Sequence, residues 1–166
     1  ITKAGLISNL KKGVEPDLTP VNEIFLALGQ RRVKMSLTMA EISRDVVKVT
    51  MAAMPPLFWY KAETNQCVEV MNSTVPMGTR LFSPNKPLEI QWKINDVLVL
   101  FSDGLPERSN HEDVDLGFEK IEEHILNNAH LPPDEILASL IKLGDDHAVG
   151  KDTDDDITVM VLKKKS

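Results

Sequence analysis

The sequence predicts an α+β fold class. Three observations carry that prediction. Apolar residues recur at helical spacing at both ends of the chain, and they alternate through paired short segments in its middle. No internal repeat or low-complexity linker divides the chain, and 166 residues suit a single domain, residues 1–166, with a real core.

Taken in order, "ITKAGLISNLKKG" spaces Leu6, Ile7 and Leu10 as one helical stripe that stops at Gly13. Pro20 suits the first position of a second helix with Thr19 as its cap, and Val21, Ile24, Phe25 and Leu28 form its apolar face. "KMSLTMAEIS" and "VVKVTMA" then alternate around Arg44-Asp45, which predicts a hairpin. "PLFWYKAETNQCVEVM" reads as a second strand pair around a polar turn at Glu63–Gln66. Pro76, Gly78, Pro84 and Pro87 mark the next stretch as loop. "LEIQWKI" and "VLVLFS" follow as strands. Phe118, Ile121, Ile125 and Leu126 predict one helix, and a second begins at Pro132-Pro133-Asp134 and fades near Gly144. The final strand, "ITVMVL", is apolar at every second and almost every intervening position, so burial on both faces is expected.

Composition narrows the function. Apolar residues at 42% and charged residues at 27% are ordinary for a soluble globular chain. A net charge of -6 argues against a general nucleic-acid surface, and Lys163-Lys164-Lys165 reads as a solvated end. No apolar run is long enough to span a bilayer. Cys67 is the single cysteine, which excludes an internal disulfide and a thiolate cluster and fits a cytoplasmic location. His111, His124, His130 and His147 share no ligand spacing and read as surface or packing residues; Trp59 and Trp92 read as sheet residues. No glycine-rich phosphate loop is present.

Two strands meet carboxylates. "VLVLFS" runs into Asp103-Gly104, and Asp154-Asp155-Asp156 precedes "ITVMVL". Alone, "SDG" is a common turn and a run of Asp is a solvated loop. Their pairing, each against an apolar strand, points to a site. Carboxylates brought close repel unless a cation lies between them or one is protonated. Hard dications such as Mg²⁺ or Mn²⁺ favour such oxygens.

At these residues the chain resembles a known family. "VLVLFSDGLPE", "DDDITVMVL", the helices between them and "VPMG" (Val75–Gly78) are similar to metal-dependent protein serine/threonine phosphatases (type 2C). The bacterial sporulation stage II E and sigma-factor-regulator branch is the nearest match. The resemblance implies an antiparallel β-sandwich flanked by helices in four layers. It implies two Mn²⁺ or Mg²⁺ ions, with Asp103 and Asp155 as ligands and Gly104 and Asp156 as further metal or supporting positions. It implies hydrolysis of phosphoserine or phosphothreonine on a regulatory protein such as an anti-sigma-factor antagonist, under an upstream sensory domain.

The chain also departs from the family. A bridging Asp in a G-D-x-[ST]-G-H-G motif is absent from residues 1–166, and "MAAMPP" (Met51–Pro56) stands where many relatives carry "NAGHPP". The expectation is an N-terminally truncated domain, weak in metal binding and activity, with exposed edges that favour self-association. The alternative is a catalytically dead phosphatase-fold module that binds proteins in signalling. A response-regulator receiver would need an early acidic pair, and a metal-dependent adhesion site would need Asp-x-Ser-x-Ser; neither is present.

Overall fold

The structure, a computed structural model, describes residues 18–27, 34–72, 74–151 and 155–166. The helix expected over Leu6–Leu10, Leu28 and Asp154 lie outside them. Among the described residues the chain forms α1 (Thr19–Ala27), β1 (Leu37–Ile42), β2 (Val46–Ala52), β3 (Leu57–Lys61), β4 (Gln66–Val70), β5 (Leu88–Gln91) and β6 (Val97–Phe101). Then follow α2 (Phe118–Asn128), α3 (Pro133–Ala148) and β7 (Val159–Lys163). The α+β class is observed, with two antiparallel sheets. The chain divides into two compact units, one of Ile1–Met54 with Asn72–Gln91 and one of Pro55–Met71 with Trp92–Ser166. No helix among the described residues is long and apolar enough to cross a membrane.

The first unit holds the sheet β1-β2-β5. The hairpin predicted around Arg44-Asp45 forms in the register Leu37↔Ala52 to Ile42↔Val47. A small core gathers Leu18, Val21, Ala52 and Met77. α1 begins at Thr19 itself and turns Val21 inward, but its second buried residue is Asn22. Asn22 Oδ1 accepts the Gly78 N–H at 2.7 Å and its Nδ2 donates to the Thr79 carbonyl at 3.4 Å. A polar side chain can be buried there because loop backbone groups satisfy it.

The second unit holds the sheet β4-β3-β6-β7. β3 and β4 pair across a turn in which Asn65 takes the left-handed conformation (φ 50) that Asn tolerates. Val97, Val99 and Phe101 of β6 enter one core with Phe58, Ile121, Ile125, Ile136 and Leu140, so the two helices cover that face. Leu98, on the other face of β6, is as fully buried. α3 outruns its expected stop at Gly144 and ends at Ala148. Gly144 lies buried inside this helix, with Leu105 Cδ1 3.2 Å from where a Cβ would stand, and does not terminate it. β7 also departs from expectation. Val159 and Val161 pack on the core, but Met160 is 53% exposed, because β7 is an edge strand covered on one face.

Asp96, at the start of β6, is 2% exposed and fully engaged. Its carboxylate accepts Trp59 Nε1–H at 3.0 Å, the Ala62 N–H at 2.9 Å and the Lys93 N–H at 2.9 Å. At the same end of the sheet Lys163, opposite Val97, donates to the Ala129, His130 and Leu131 carbonyls at 2.8, 3.2 and 2.8 Å. It thereby satisfies acceptors left open where α2 ends.

Candidate metal centre

The apolar run Val97–Phe101 forms a central strand and delivers Ser102, Asp103 and Gly104 to its C-terminal end. There the backbone turns, with the Leu105 N–H donating to Ser102 O at 3.3 Å and the Glu107 N–H to Asp103 O at 3.0 Å. β7 arrives antiparallel, with Phe101 opposite Val159, and the ladder continues one step as the Ser102 N–H donates to Thr158 O at 2.9 Å. Beyond that point the Ser102 side chain takes over. Its Oγ donates to Asp156 O at 3.0 Å and accepts the Thr158 N–H at 2.9 Å.

Gly104 completes the juxtaposition. A Cβ at this position would stand 2.7 Å from Asp156 O and 3.2 Å from Asp156 C, distances that only a missing side chain permits. The corner carrying Asp103 and the corner carrying Asp155-Asp156 are therefore joined through one hydroxyl and one glycine. Asp103, Asp155 and Asp156 are exposed, whereas Gly104 is buried. Asp155 Oδ1 accepts the Asp156 N–H at 2.8 Å, which orients that carboxylate against its own turn. The Asp103 carboxylate accepts no hydrogen bond among the described residues.

This donor set suits a hard dication in kind: carboxylate oxygens on two abutting backbone corners, open to water. It is short in number. Among the described residues no group of three or more His, Cys, Asp or Glu is arranged to hold a metal ion.

The remaining candidates lie apart from this end of the sheet or serve packing. His124 Nε2 lies 2.9 Å from Ser139 Oγ between α2 and α3, and burial holds its pKa below the ordinary histidine range. His111 and His147 each place Nε2 2.9 Å from a backbone carbonyl, of Val149 and Val114 respectively. In "MAAMPP", Met51 and Ala52 are buried at the end of β2 and offer no polar group.

Sequence reasoning assigned nothing to the loop of residues 105–117. It is bound to the segment that follows α3, through Arg108 Nη2 donating to Lys151 O at 2.8 Å and Lys151 Nζ donating to Asp113 Oδ1 at 2.7 Å. Charged residues in a loop carry no periodicity, so only the "ERSN" that follows the acidic corner could have drawn notice.

Residues 5–165 match the family model described as stage II sporulation protein E (SpoIIE). No curated protein matches the sequence. Among solved structures, the SiaA-PP2C domain of Pseudomonas aeruginosa matches with a TM-score of 0.81 at 13% identity, over 98% of this chain and 67% of that one. The PP2C phosphatase domain with a fragment of the regulatory domain of SpoIIE from Bacillus subtilis matches at 0.76 and 22% identity, over 98% of this chain. The chain spans 48% of the length of that structure. The catalytic domain of the serine/threonine protein phosphatase PstP in complex with two manganese ions matches at 0.65 and 14% identity, over 96% of this chain and 76% of that one. At these identities the structures establish a shared fold.

Proposed function

The chain belongs to the stage II sporulation protein E family of PP2C-type phosphatase domains, and from that premise we propose that it contributes Asp103 and Asp155 to a metal-dependent phosphatase site. The substrate class is phosphoserine or phosphothreonine on a regulatory protein, an anti-sigma-factor antagonist being the natural case in this branch. An upstream regulatory domain in the whole protein fits the B. subtilis relative, whose structure includes part of one. Manganese or magnesium fits the PstP relative, described with two manganese ions.

One observation carries the reading: Ser102 and Gly104 bring two separate acidic corners into backbone contact. Asp103 and Asp155 would hold the cation, with Asp156 as a further oxygen beside them. Ser102 fixes the separation of the two corners, and Gly104 lets them approach. When bound, a dication supplies a lowered water pKa and charge neutralisation on the transferring phosphoryl group. Two such corners provide few oxygens for two dications, so residues 1–166 by themselves are expected to bind metal weakly and to turn over slowly.

The test is Mn²⁺ binding by electron paramagnetic resonance, with phosphopeptide hydrolysis measured on the same samples. The expected result is millimolar binding that Asp103→Asn weakens at least about tenfold. Equal binding by the two proteins would sink the assignment, and ordinary turnover by residues 1–166 would sink the expectation of weak activity. A second reading, a phosphatase-fold module that only binds proteins, draws on apolar Met51 and Met54, which stand where "NAGHPP" carries Asn and His. Such a module would show neither metal binding nor hydrolysis in the whole protein.

A further inference from the structure

The loop between β6 and α2 closes on itself. The Asn110 N–H donates to Val114 O at 3.0 Å, the Leu116 N–H to Arg108 O at 2.9 Å and the Gly117 N–H to Pro106 O at 2.9 Å. It is thus a tied extension of the Asp103 corner. Against it lies the segment Ala148–Lys151, which leaves α3 four residues before Asp155. Arg108 Nη2 donates to Lys151 O at 2.8 Å, and His111 Nε2 lies 2.9 Å from Val149 O.

Arg108 is the costly member of this clasp. Its side chain is 9% exposed, it meets the Asp145 carboxylate at 3.9 Å, and its Nε has no hydrogen-bond partner among the described residues. A buried charge so incompletely paired is a poor source of stability, and an apolar residue of equal volume would serve packing as well. What arginine adds is a directional donor on one carbonyl. The segment it grips is itself strained: Val149 is β-branched yet sits at φ 45, a conformation that persists only where its surroundings enforce it. The cap bond from the Val149 N–H to Asp145 O at 3.1 Å and the His111 contact supply that enforcement.

We propose that Arg108 is a positioning residue: by holding the Lys151 carbonyl against the loop that follows Asp103, it sets where Asp155 stands relative to Asp103. The proposal rests on the reading of these two carboxylates as metal ligands. Ser102 ties the two corners on the strand side, and Arg108 ties the chain that feeds the second corner.

The experiment compares Mn²⁺ binding by electron paramagnetic resonance in the full chain and in five variants, each with its unfolding midpoint measured without metal. Arg108→Gln, which releases the chain leading to Asp155 without touching a ligand, is expected to weaken Mn²⁺ binding several-fold, up to about the tenfold of a direct ligand partner, at temperatures where it is fully folded. Arg108→Lys, which keeps one donor, is expected to fall between the two. Lys93→Gln removes only an exposed pair with Glu63 at the opposite end of β6 and is expected to leave affinity within about twofold. Should Arg108→Gln fail to fold, His111→Ala carries the test, because it deletes only the contact to Val149 O and is expected to weaken binding measurably. Wild-type affinity in a folded Arg108→Gln, or in His111→Ala when the former does not fold, overturns the proposal while Asp103→Asn still weakens binding at least about tenfold. Unchanged affinity in Asp103→Asn overturns the ligand assignment and the clasp with it.

Discussion

Adding one methyl group at Gly104 tests how the two acidic corners are held together. The Cβ of Gly104→Ala would meet Asp156 O at 2.7 Å, and both nearest atoms are backbone. A carbon–oxygen contact relaxes near 3.3 Å, so the two strands must part by about 0.6 Å. The Ser102 Oγ to Asp156 O bond, 3.0 Å in the native chain, then stretches to roughly 3.6 Å and is lost. Overpacking costs about 1–3 kcal/mol and the broken bond about 1 kcal/mol, for a loss of about 2–4 kcal/mol. With a urea slope of about 2 kcal/mol per molar, the unfolding midpoint should fall by about 1–2 M.

Two other glycines calibrate the result. At Gly144 the nearest atom is the flexible end of Leu105, and alanine gains about 1 kcal/mol of helix propensity, so Gly144→Ala should be neutral or stabilising. At Gly117 nothing lies within 4 Å but φ is +78, so alanine should cost about 1–2 kcal/mol through backbone strain alone. A midpoint for Gly104→Ala at or above that of Gly117→Ala would refute the steric reasoning.

Further outcomes follow from the same geometry. Asp96→Ala removes the buried acceptor of three part-buried donors and should destabilise by about 2–4 kcal/mol, read from chemical denaturation. Val149→Gly relieves left-handed strain at a site 68% exposed and should add about 1 kcal/mol; a loss of stability would show that the valine side chain packs productively. His124 has its pKa lowered by burial, so the unfolded chain binds the extra proton. Its contribution is present above the ordinary value of 6.5 and is lost as pH falls below it, and His124→Gln should flatten the stability profile in that acid range. Burial, and then the charge of Glu122, push the Cys67 thiol up to about 12. Native protein should therefore react with a thiol reagent at pH 8 far more slowly than unfolded protein, and equal rates would contradict the burial.

Both strand hairpins were legible because alternation and turn residues agree locally: Leu37–Ala52 around Arg44-Asp45, and Leu57–Val70 around Asn65. The meeting of the Asp103 and Asp155-Asp156 corners was legible for a different reason, because each puts carboxylates against an apolar strand. What stayed hidden depends on partners distant in sequence. Asn22 occupies an apolar helix face because Gly78 and Thr79, more than fifty residues on, satisfy it. Asp96 shows no role until Trp59 and Ala62 arrive from β3. Gly144 reads as a stop because sequence alone does not reveal Leu105 against it. Arg108 and Lys151 look like solvated loop charges, and only the return of α3 past the β6 loop makes one of them a buried donor.

β6 carries a carboxylate at each end, and the two have opposite fates. Asp96 is spent entirely on its own chain, whereas Asp103 stands open and accepts nothing from the described residues. Architecture and chemistry are thus separable along a single strand. Under the proposed assignment, a substitution at Asp103 would remove a metal ligand and leave a sound scaffold, one step from a protein that only binds. The same change at Asp96 erases the scaffold first. For a lineage or an engineer, loss of metal binding and loss of fold would then be distinct events.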